Sequence, residues 1–331
     1  MHTAVKIGAI SAIGVLLFLA SGCSRHDNSE RYILITVNTR LPYWKAAASG
    51  LAKAAAQYGV KTDVRGPELY DPASEPQELR NALALKPAGL LVSVADRSLM
   101  GPAIDEAVNA GIPVLTIDSD APESKRLYFI GTNNMQAGVL GGKRLAEKLH
   151  GKGNVVFYTM PQQPNLDDRL RGYKDVFEDY PGIQIVEVFN IKGDSGNAFD
   201  RTMHYLTDKS VRRVDAFVCL ESSAGRDVAE ALRRQQHASD RIVIAMDADD
   251  DILTGIKQGF IDATVTEKPF TMAFYGLKAL DDIHHYPADL KRSYASNSFS
   301  PFPTFVDTGS TLVDKSNVDE YLKAEQESTS K

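Results

Sequence analysis

Cysteine is scarce in this chain, with 2 among 331 residues. Cys23 follows an apolar N-terminal stretch, and Cys219 lies within the apolar run 216–220, where it is best read as a small buried side chain. A terminal cysteine and a strand cysteine are not expected to pair. The sequence therefore excludes a disulfide framework and a thiol metal site.

An excess of positive charge is also missing. The formal net charge is −6 at pH 7, and no basic run or basic–aromatic stripe occurs. This gives no electrostatic reason to expect a nucleic-acid partner. The length and the ordinary balance of 43% hydrophobic and 24% charged residues suit two compact domains.

The glycine motifs of nucleotide enzymes are absent as well. The turn after the first expected strand, residues 38–42, carries no Gly-x-Gly-x-x-Gly, and no Walker Gly-Lys-Ser/Thr is present. His284 and His285 are adjacent and so do not share a helix face, and His204 and His237 have no ligand partners nearby in sequence. We therefore expect no metal, no cofactor and no enzyme activity; a carbohydrate-acting enzyme is a remote alternative, because no carboxylate pair has clearly opposed environments.

Long hydrophobic runs are limited to residues 7–20, between Lys6 and the small residues at 21–22. A membrane span needs about 20 residues, and a helix packed on a domain would be amphipathic. The layout is that of a secretory signal peptide over residues 1–22, and the alternative is a cytoplasmic protein with an apolar N-terminal helix. Residues 19–23 resemble a bacterial lipobox, although Ala20 stands where leucine is usual.

The lipobox resemblance implies that Cys23 is lipidated and that residues 23–31 form a tether. The protein would then be exported to the periplasm or the cell surface and anchored to a membrane. Cleavage by an ordinary signal peptidase, without lipidation, stays open.

From Tyr32 onward, apolar β-branched runs alternate with runs of helical spacing in units of about 30 residues. Near-continuous apolar strands indicate parallel sheets that are covered on both faces. The number of units exceeds one sheet, so the predicted fold is α/β with two doubly wound parallel-sheet lobes. The expected helices are 42–58, 75–86, 100–109, 136–149, 168–178, 199–207, 224–234 and 271–283.

Polar residues directly after the strands are the candidate ligand contacts, because ligands of parallel α/β sheets bind beyond the carboxyl ends of the strands. Each such residue, taken alone, fits a helix cap or a turn equally well. The candidates are residues 38–40, Asp96, residues 118–120, residues 162–165, Glu221 and Asp247.

Three stretches resemble the ribose-binding-protein group of periplasmic sugar-binding proteins: Leu-Pro-Tyr-Trp at 41–44, residues 111–138, and residues 163–173 with Arg169. Residues 305–313 also resemble the closing segment of that group. The resemblance implies a type I periplasmic binding fold, in which two lobes are joined by three crossings. It places lobe 1 at 32–132 plus 268–298, lobe 2 at 133–267 plus 299–323, and a frayed tail at 324–331.

The resemblance also assigns the ligand site. Tyr43 and Trp44 would stack on the solute, Asp118 and Asp247 would accept hydrogen bonds from its hydroxyls, and Arg169 would donate to it. The remaining expected contacts are Asp120, Asn165, Glu221 and Glu267, the last two standing where ribose binders have amides.

Several positions depart from the group. Leu41 replaces an asparagine, Ser119 replaces an arginine, and no aromatic residue occurs near 194–196. These changes make the expected pocket more acidic and favour a donor-rich ligand, such as a polyol or an amine-bearing sugar.

The implied function is that of a monomeric substrate-binding protein, which takes a monosaccharide or related polyol to an ABC permease. The alternative is a sensor that presents its solute to a chemoreceptor or a sensor kinase. A regulator of the lactose-repressor type shares the two-lobed core, but it needs a helix-turn-helix where this chain has a signal peptide.

Overall fold

The computed structural model describes residues 26–236, 240–286 and 300–329. The expected signal peptide and Cys23 lie outside these ranges. Within them, no helix combines the length and the apolar character that crossing a membrane requires.

The strands and helices alternate along the chain, as the sequence pattern predicts. The strands are β1 (Arg31–Ile35), β2 (Lys61–Arg65), β3 (Gly89–Val92), β4 (Val114–Ile117), β5 (Phe129–Gly131), β6 (Lys152–Thr159), β7 (Gly182–Asn190), β8 (Ala216–Cys219), β9 (Ile242–Met246), β10 (Ala263–Thr266), β11 (Phe305–Asp307) and β12 (Thr311–Asp314). The helices are α1 (Pro42–Tyr58), α2 (Glu75–Leu83), α3 (Arg97–Asn109), α4 (Asn134–Lys148), α5 (Pro164–Glu178), α6 (Ser195–Thr207), α7 (Ala224–Arg234), α8 (Asp250–Gln258), α9 (Pro269–His285) and α10 (Val318–Thr329).

The strands form two six-stranded sheets with the same internal order. The first sheet runs β11-β5-β4-β3-β1-β2 and is parallel throughout. The second runs β12-β10-β9-β8-β6-β7 and is parallel except for the β10–β12 pair. The central strands β3, β4 and β8 are buried along their whole length, which explains their continuous apolar sequence. The predicted fold of two doubly wound lobes is confirmed.

Helix boundaries follow local capping more than hydrophobic spacing. Helix α1 begins at Pro42 and ends before Gly59, whose φ of 70° is the left-handed conformation that closes a helix. Helix α3 begins three residues before the expected start, because the Asp96 side chain accepts from the amides of Ser98 and Leu99. Helix α5 likewise begins early, with Pro164 in its first turn.

Within the described residues, the chain passes between the sheets three times. It leaves the first sheet between β5 and α4, and it returns between β10 and α9, a helix that packs on α1 of the first lobe. The third passage lies at residues 308–310, between β11 and β12.

This third crossing corrects the sequence-based boundary, which assigned residues 299–323 to the second lobe. Strand β11 pairs in parallel with β5, and the rings of Phe305 and Phe129 stack at 5.1 Å. Residues 300–307 therefore belong to the first lobe. The tail expected to fray from residue 324 is instead helical through Thr329.

Candidate functional site

A cavity of about 630 Å³ lies between the two lobes. Its walls are the segments beyond the carboxyl ends of strands in both sheets, which is where parallel α/β folds bind ligands. The structure brings eight of the nine expected ligand contacts to this cavity. These are Tyr43, Trp44, Asp118, Asn165, Arg169, Glu221, Asp247 and Glu267.

Asp118 follows β4 and is 5% exposed. Its φ of 66° lies in the left-handed region, which aspartate tolerates better than most residues and which turns the side chain out of the strand direction. The carboxylate accepts from the hydroxyl of Tyr43 at 2.9 Å and from the amide of Asn165 at 3.3 Å. Burial and the nearby carboxylate of Glu267 raise the pKa of Asp118 to about 7, although Arg169 acts in the opposite direction.

Asp247 occupies the same position in the second lobe. It follows β9, the fourth strand of its lobe along the chain as β4 is of the first, and its φ of 65° matches that of Asp118. Within the described residues, its carboxylate accepts no hydrogen bond. Burial and the carboxylate of Glu267 raise its pKa well above the ordinary range. Two carboxylates thus reach the cavity from equivalent strand ends of the two lobes.

Arg169 lies on α5 and is 3% exposed. Close packing of α5 on α4 positions it: a Cβ on Gly138 would lie 2.1 Å from the Arg169 carbonyl oxygen, so only glycine allows this approach. The guanidinium donates from Nε to Asn134 and from Nη1 to the carbonyl oxygen of Leu220, each at 2.8 Å. A third donor, Nη2, pairs with Glu267. Three of the N–H groups that Arg169 was expected to offer to the ligand therefore bind other groups of the protein.

The Arg169–Glu267 pair is almost wholly buried, with side-chain exposures of 4% and 1%. Burial opposes the charge of Arg169, but the carboxylates of Glu267, Asp247 and Asp118 outweigh it and raise the arginine pKa. The second oxygen of Glu267, Oε1, is buried and has no partner among the described residues. This oxygen is an unused acceptor of a residue that lines the cavity.

Glu221 also lines the cavity, but its hydrogen bonds serve a helix. One oxygen accepts from the amide and hydroxyl of Ser223 at 2.7 and 2.6 Å, and the other accepts from the amide of Ala224 at 2.6 Å. These contacts cap the N-terminus of α7. Burial raises the pKa of Glu221 in spite of them.

Asp120 does not reach the cavity. Its carboxylate pairs with Arg126 through two contacts of 2.6 Å and accepts from the hydroxyl of Thr116. The expectation of a ligand contact at Asp120 is corrected: the side chain turns from the cleft to a guanidinium six residues along the chain.

The aromatic side chains form one wall. The rings of Tyr43 and Trp44 meet edge to face at 5.0 Å, and Trp44 is 3% exposed, so its indole belongs largely to the core of the first lobe. A third ring, Tyr70, was not anticipated. It lies in the loop after β2 and faces the second lobe, where a Cβ on Gly193 would come within 2.6 Å of the Tyr70 Cβ. The position of Tyr70 in the loop after a strand was the feature of the sequence that could have identified it as a ligand contact.

Gln163 was among the strand-end candidates, but the resemblance did not assign it to the ligand. Its Oε1 is buried without a partner among the described residues, and the side chain lines the cavity. The inner wall thus combines the Arg169 guanidinium with the carboxylates of Asp118, Asp247 and Glu267 and with the amide oxygen of Gln163. On this buried part of the wall three carboxylates face one guanidinium, whereas Arg40, Lys192 and Arg226 line the cavity from exposed positions. The inner part of the cavity therefore suits a solute that carries O–H or N–H groups.

Comparison with known proteins agrees with this geometry. Residues 32–284 match the family model described as a periplasmic binding protein domain. The ribose import binding protein of Bacillus subtilis is 25% identical over 84% of this chain and 93% of its own length. A sugar-binding protein of a Bacillus halodurans sugar ABC transporter is 32% identical, with a TM-score of 0.77 over 88% of this chain and 100% of that one.

A solute-binding protein from Burkholderia graminis, solved in complex with D-arabinose, is 26% identical, with a TM-score of 0.78 over 90% of this chain and 98% of that one. The family match spans more than half of the chain, and the fold and the placing of the cavity agree with it. The chain belongs to the periplasmic binding protein family.

Proposed function

We propose that this protein is the substrate-binding component of an ABC-type importer and holds a monosaccharide or a related polyol between its lobes. The similar proteins named above are described as binding proteins for ribose, for sugars and, in one complex, for D-arabinose. A cavity of about 630 Å³ suits a small solute of this class.

One observation carries the proposal. Asp118 and Asp247 reach the cavity from equivalent strand ends of the two lobes, and Asp247 and the Oε1 of Glu267 retain acceptor capacity that the described residues do not use. Sugar hydroxyls would donate to these oxygens in a site that excludes most water. The rings of Tyr43 and Trp44 would cover an apolar C–H face of the same ligand.

The contacts across the cleft support a clamp mechanism. Asn165 of the second lobe donates to Asp118 of the first, and Tyr70 of the first lobe lies against Gly193 of the second. A solute that bridges the lobes stabilises this closed arrangement by the contacts that exist only when the lobes are together. The permease would recognise the closed, ligand-bound form of the protein.

The acidic wall narrows the ligand class. Asp118, Asp247 and Glu267 face a single buried guanidinium, Arg169, so each ligand donor gains more here than in a neutral site. We propose a ligand rich in hydroxyl or amine donors. An amino sugar should bind more tightly than its parent hydroxyl sugar if the amine replaces a hydroxyl that faces these carboxylates.

The N-terminal residues complete the proposal. Residues 1–22 would direct export, and Cys23 would carry a lipid that anchors the protein to a membrane of the periplasm or cell surface, with residues 23–31 as the tether. The protein would act as a monomer with an ABC permease as its partner. Mass spectrometry of the protein purified from membranes tests this, since a diacylglycerol on Cys23 adds a defined mass that a simple cleavage product lacks.

A thermal-shift screen tests the ligand class. D-ribose, D-arabinose, D-xylose, D-galactose, galactosamine and sorbitol would be added separately to the protein. A ligand at 100 times its Kd stabilises the folded state by about 2.7 kcal/mol, which raises the unfolding midpoint by several degrees. No shift with any member of the panel, at millimolar concentrations, would contradict the proposal.

A further inference from the structure

A second cluster of polar side chains lies on the first lobe, away from the cleft. His26 and Glu30 directly precede β1, while Asp281 and His285 lie one turn apart at the end of α9. The cluster is therefore at the amino end of β1, whereas the sugar cavity lies beyond the carboxyl ends of the strands.

The four side chains present one ligand atom each. The Nδ1 of His26, an oxygen of Glu30, the Oδ1 of Asp281 and the Nε2 of His285 all lie within 4.8 Å of one another. The side-chain exposures are 21% for His26, 12% for Glu30, 3% for Asp281 and 17% for His285, so the cluster is enclosed but not sealed.

Three distances between ligand atoms come close to those of a tetrahedral zinc site, and two of these three pairs are also within hydrogen-bond distance. Zn²⁺ binds histidine nitrogen and carboxylate oxygen at about 2.0–2.1 Å, which places neighbouring ligand atoms of a tetrahedron about 3.3–3.4 Å apart. The Asp281 oxygen lies 3.2 Å from His26 Nδ1 and 3.6 Å from His285 Nε2, and the latter lies 3.3 Å from Glu30. Charge-assisted N–H···O bonds are shorter, at about 2.7–2.9 Å.

Neighbouring side chains contact two of the four ligands. The hydroxyl of Tyr32 donates to Asp281 Oδ1 at 3.0 Å. The ring of Tyr58 stacks on His26 with a centroid distance of 4.5 Å. A hydrogen bond such as that from Tyr32 fixes the orientation of a carboxylate ligand in metal sites.

We propose that His26, Glu30, Asp281 and His285 form a zinc site that fastens the N-terminal segment to the first lobe. Two histidines and two carboxylates are the borderline donor set that zinc accepts in tetrahedral geometry. The adjacent pair His284–His285 was set aside in the sequence because neighbours do not share a helix face. The site uses His285 alone, with partners 4 and 255–259 positions away along the chain.

The site would set the length of the tether. His26 is three residues after Cys23, so zinc at His26 would hold the first lobe close to any anchor at Cys23. This consequence depends on the proposed lipidation, but zinc binding itself does not, and it is independent of sugar binding.

The test uses the protein as the cell processes it, purified in detergent and stripped with a chelator. Titration with ZnCl₂ is expected to show one site per chain with a Kd in the micromolar range or tighter. Co²⁺ is expected to give the intense visible bands of tetrahedral coordination. His26→Ala, Asp281→Asn and His285→Ala should each weaken zinc binding by about 100-fold or more, since loss of even an outer contact costs 10–100-fold.

A matched control is His204→Ala. His204 and Asp208 are also one helical turn apart, at 3.8 Å, but they are not part of a cluster of three or more ligands in the described residues. This variant should bind zinc as the unaltered protein does. His26→Ala is the variant that should disturb folding least, because His26 lies before β1 and outside the sheet.

Three results would overturn the proposal: no stoichiometric zinc binding, binding weaker than micromolar, or binding that His26→Ala and His285→Ala leave unchanged. Sugar affinity, measured on the same samples, should not change when zinc is removed. A failure of the zinc proposal therefore leaves the proposed sugar site standing, and the reverse also holds.

Discussion

Replacing Asp247 by asparagine should change stability and affinity in opposite directions. The Asp247 carboxylate accepts no hydrogen bond from the described part of the chain, and burial together with Glu267 raises its pKa well above the ordinary range. Its ionised form is therefore a cost to the ligand-free protein. Asparagine is nearly isosteric and also tolerates the left-handed φ of 65° at this position. The ligand-free Asp247→Asn protein should be more stable than the unaltered protein at pH 8.

The same change should weaken ligand binding. A hydrogen bond to a charged acceptor contributes about 1.5–3 kcal/mol, and a tenfold change in Kd corresponds to about 1.4 kcal/mol. A ligand that donates to Asp247 favours its ionised form, so removal of this carboxylate should raise the Kd for the sugar by roughly 10- to 100-fold. Titration calorimetry measures this Kd, with the panel sugar that gives the largest thermal shift.

Asp249→Ala is the matched control two residues away. The Asp249 side chain accepts from the Ile252 amide at 2.8 Å and caps α8. Its loss should lower the free energy of unfolding by about 1 kcal/mol and leave the Kd nearly unchanged. Urea unfolding supplies both stabilities. An unchanged Kd for Asp247→Asn, or a loss of stability equal to that of the control, would refute the assignment of Asp247 to the ligand.

Three further predictions concern residues around the cleft. Glu75 is fully buried, and burial raises its pKa to about 8, whereas the unfolded state releases this proton from about pH 4.5. The free energy of unfolding should therefore fall by about 1.4 kcal/mol per pH unit between these two values. In Glu75→Gln, urea unfolding should show a flatter dependence of stability on pH from 5.5 to 7.5. Asp120→Asn should destabilise the protein, because it leaves the nearly buried Arg126 without its charged partner. Calorimetry should show little change in the Kd for the sugar. A large change in Kd would show that Asp120 contacts the ligand. Gly193→Ala should weaken ligand binding at least several-fold and prevent the contraction on ligand addition that small-angle scattering measures, because its methyl group would meet Tyr70. Gly59→Ala is the control, since Gly59 has a similar φ of 70° and open space around it. Equal effects of the two substitutions would contradict the clamp mechanism.

The fold was largely predictable from sequence, because parallel strands that are buried on both faces leave continuous apolar runs. Helices α1 and α7 have the bounds that the pattern predicts. Capping was harder to anticipate: α3 and α5 begin three or four residues early, since their starts depend on Asp96 and Pro164. The third crossing was misplaced because β11 has three residues, and its pairing with β5 is a long-range contact with no local periodicity.

The site was predictable in its positions and less so in its partners. The rule that ligands bind beyond the carboxyl ends of strands correctly predicted that Asp118 and Asp247 line the cavity. It could not tell Asp120 from them, because only the folded chain shows that Arg126 takes up that carboxylate. Tyr70 was missed for a related reason: its importance comes from facing the opposite lobe, and sequence spacing does not encode which loops meet across the cleft.

Trp44 provides the most direct test of the central claim, that a sugar binds between the lobes. It is the single tryptophan of the chain and it lines the cavity, so its emission reports on this site. Titration with the panel sugar that gives the largest thermal shift is expected to change this emission in a saturable, single-site manner, with the Kd that calorimetry gives. Asp247→Asn should shift the curve to higher sugar concentration. Calorimetric sugar binding that leaves the emission of Trp44 unchanged and is insensitive to Asp247→Asn would place the ligand elsewhere and contradict the account.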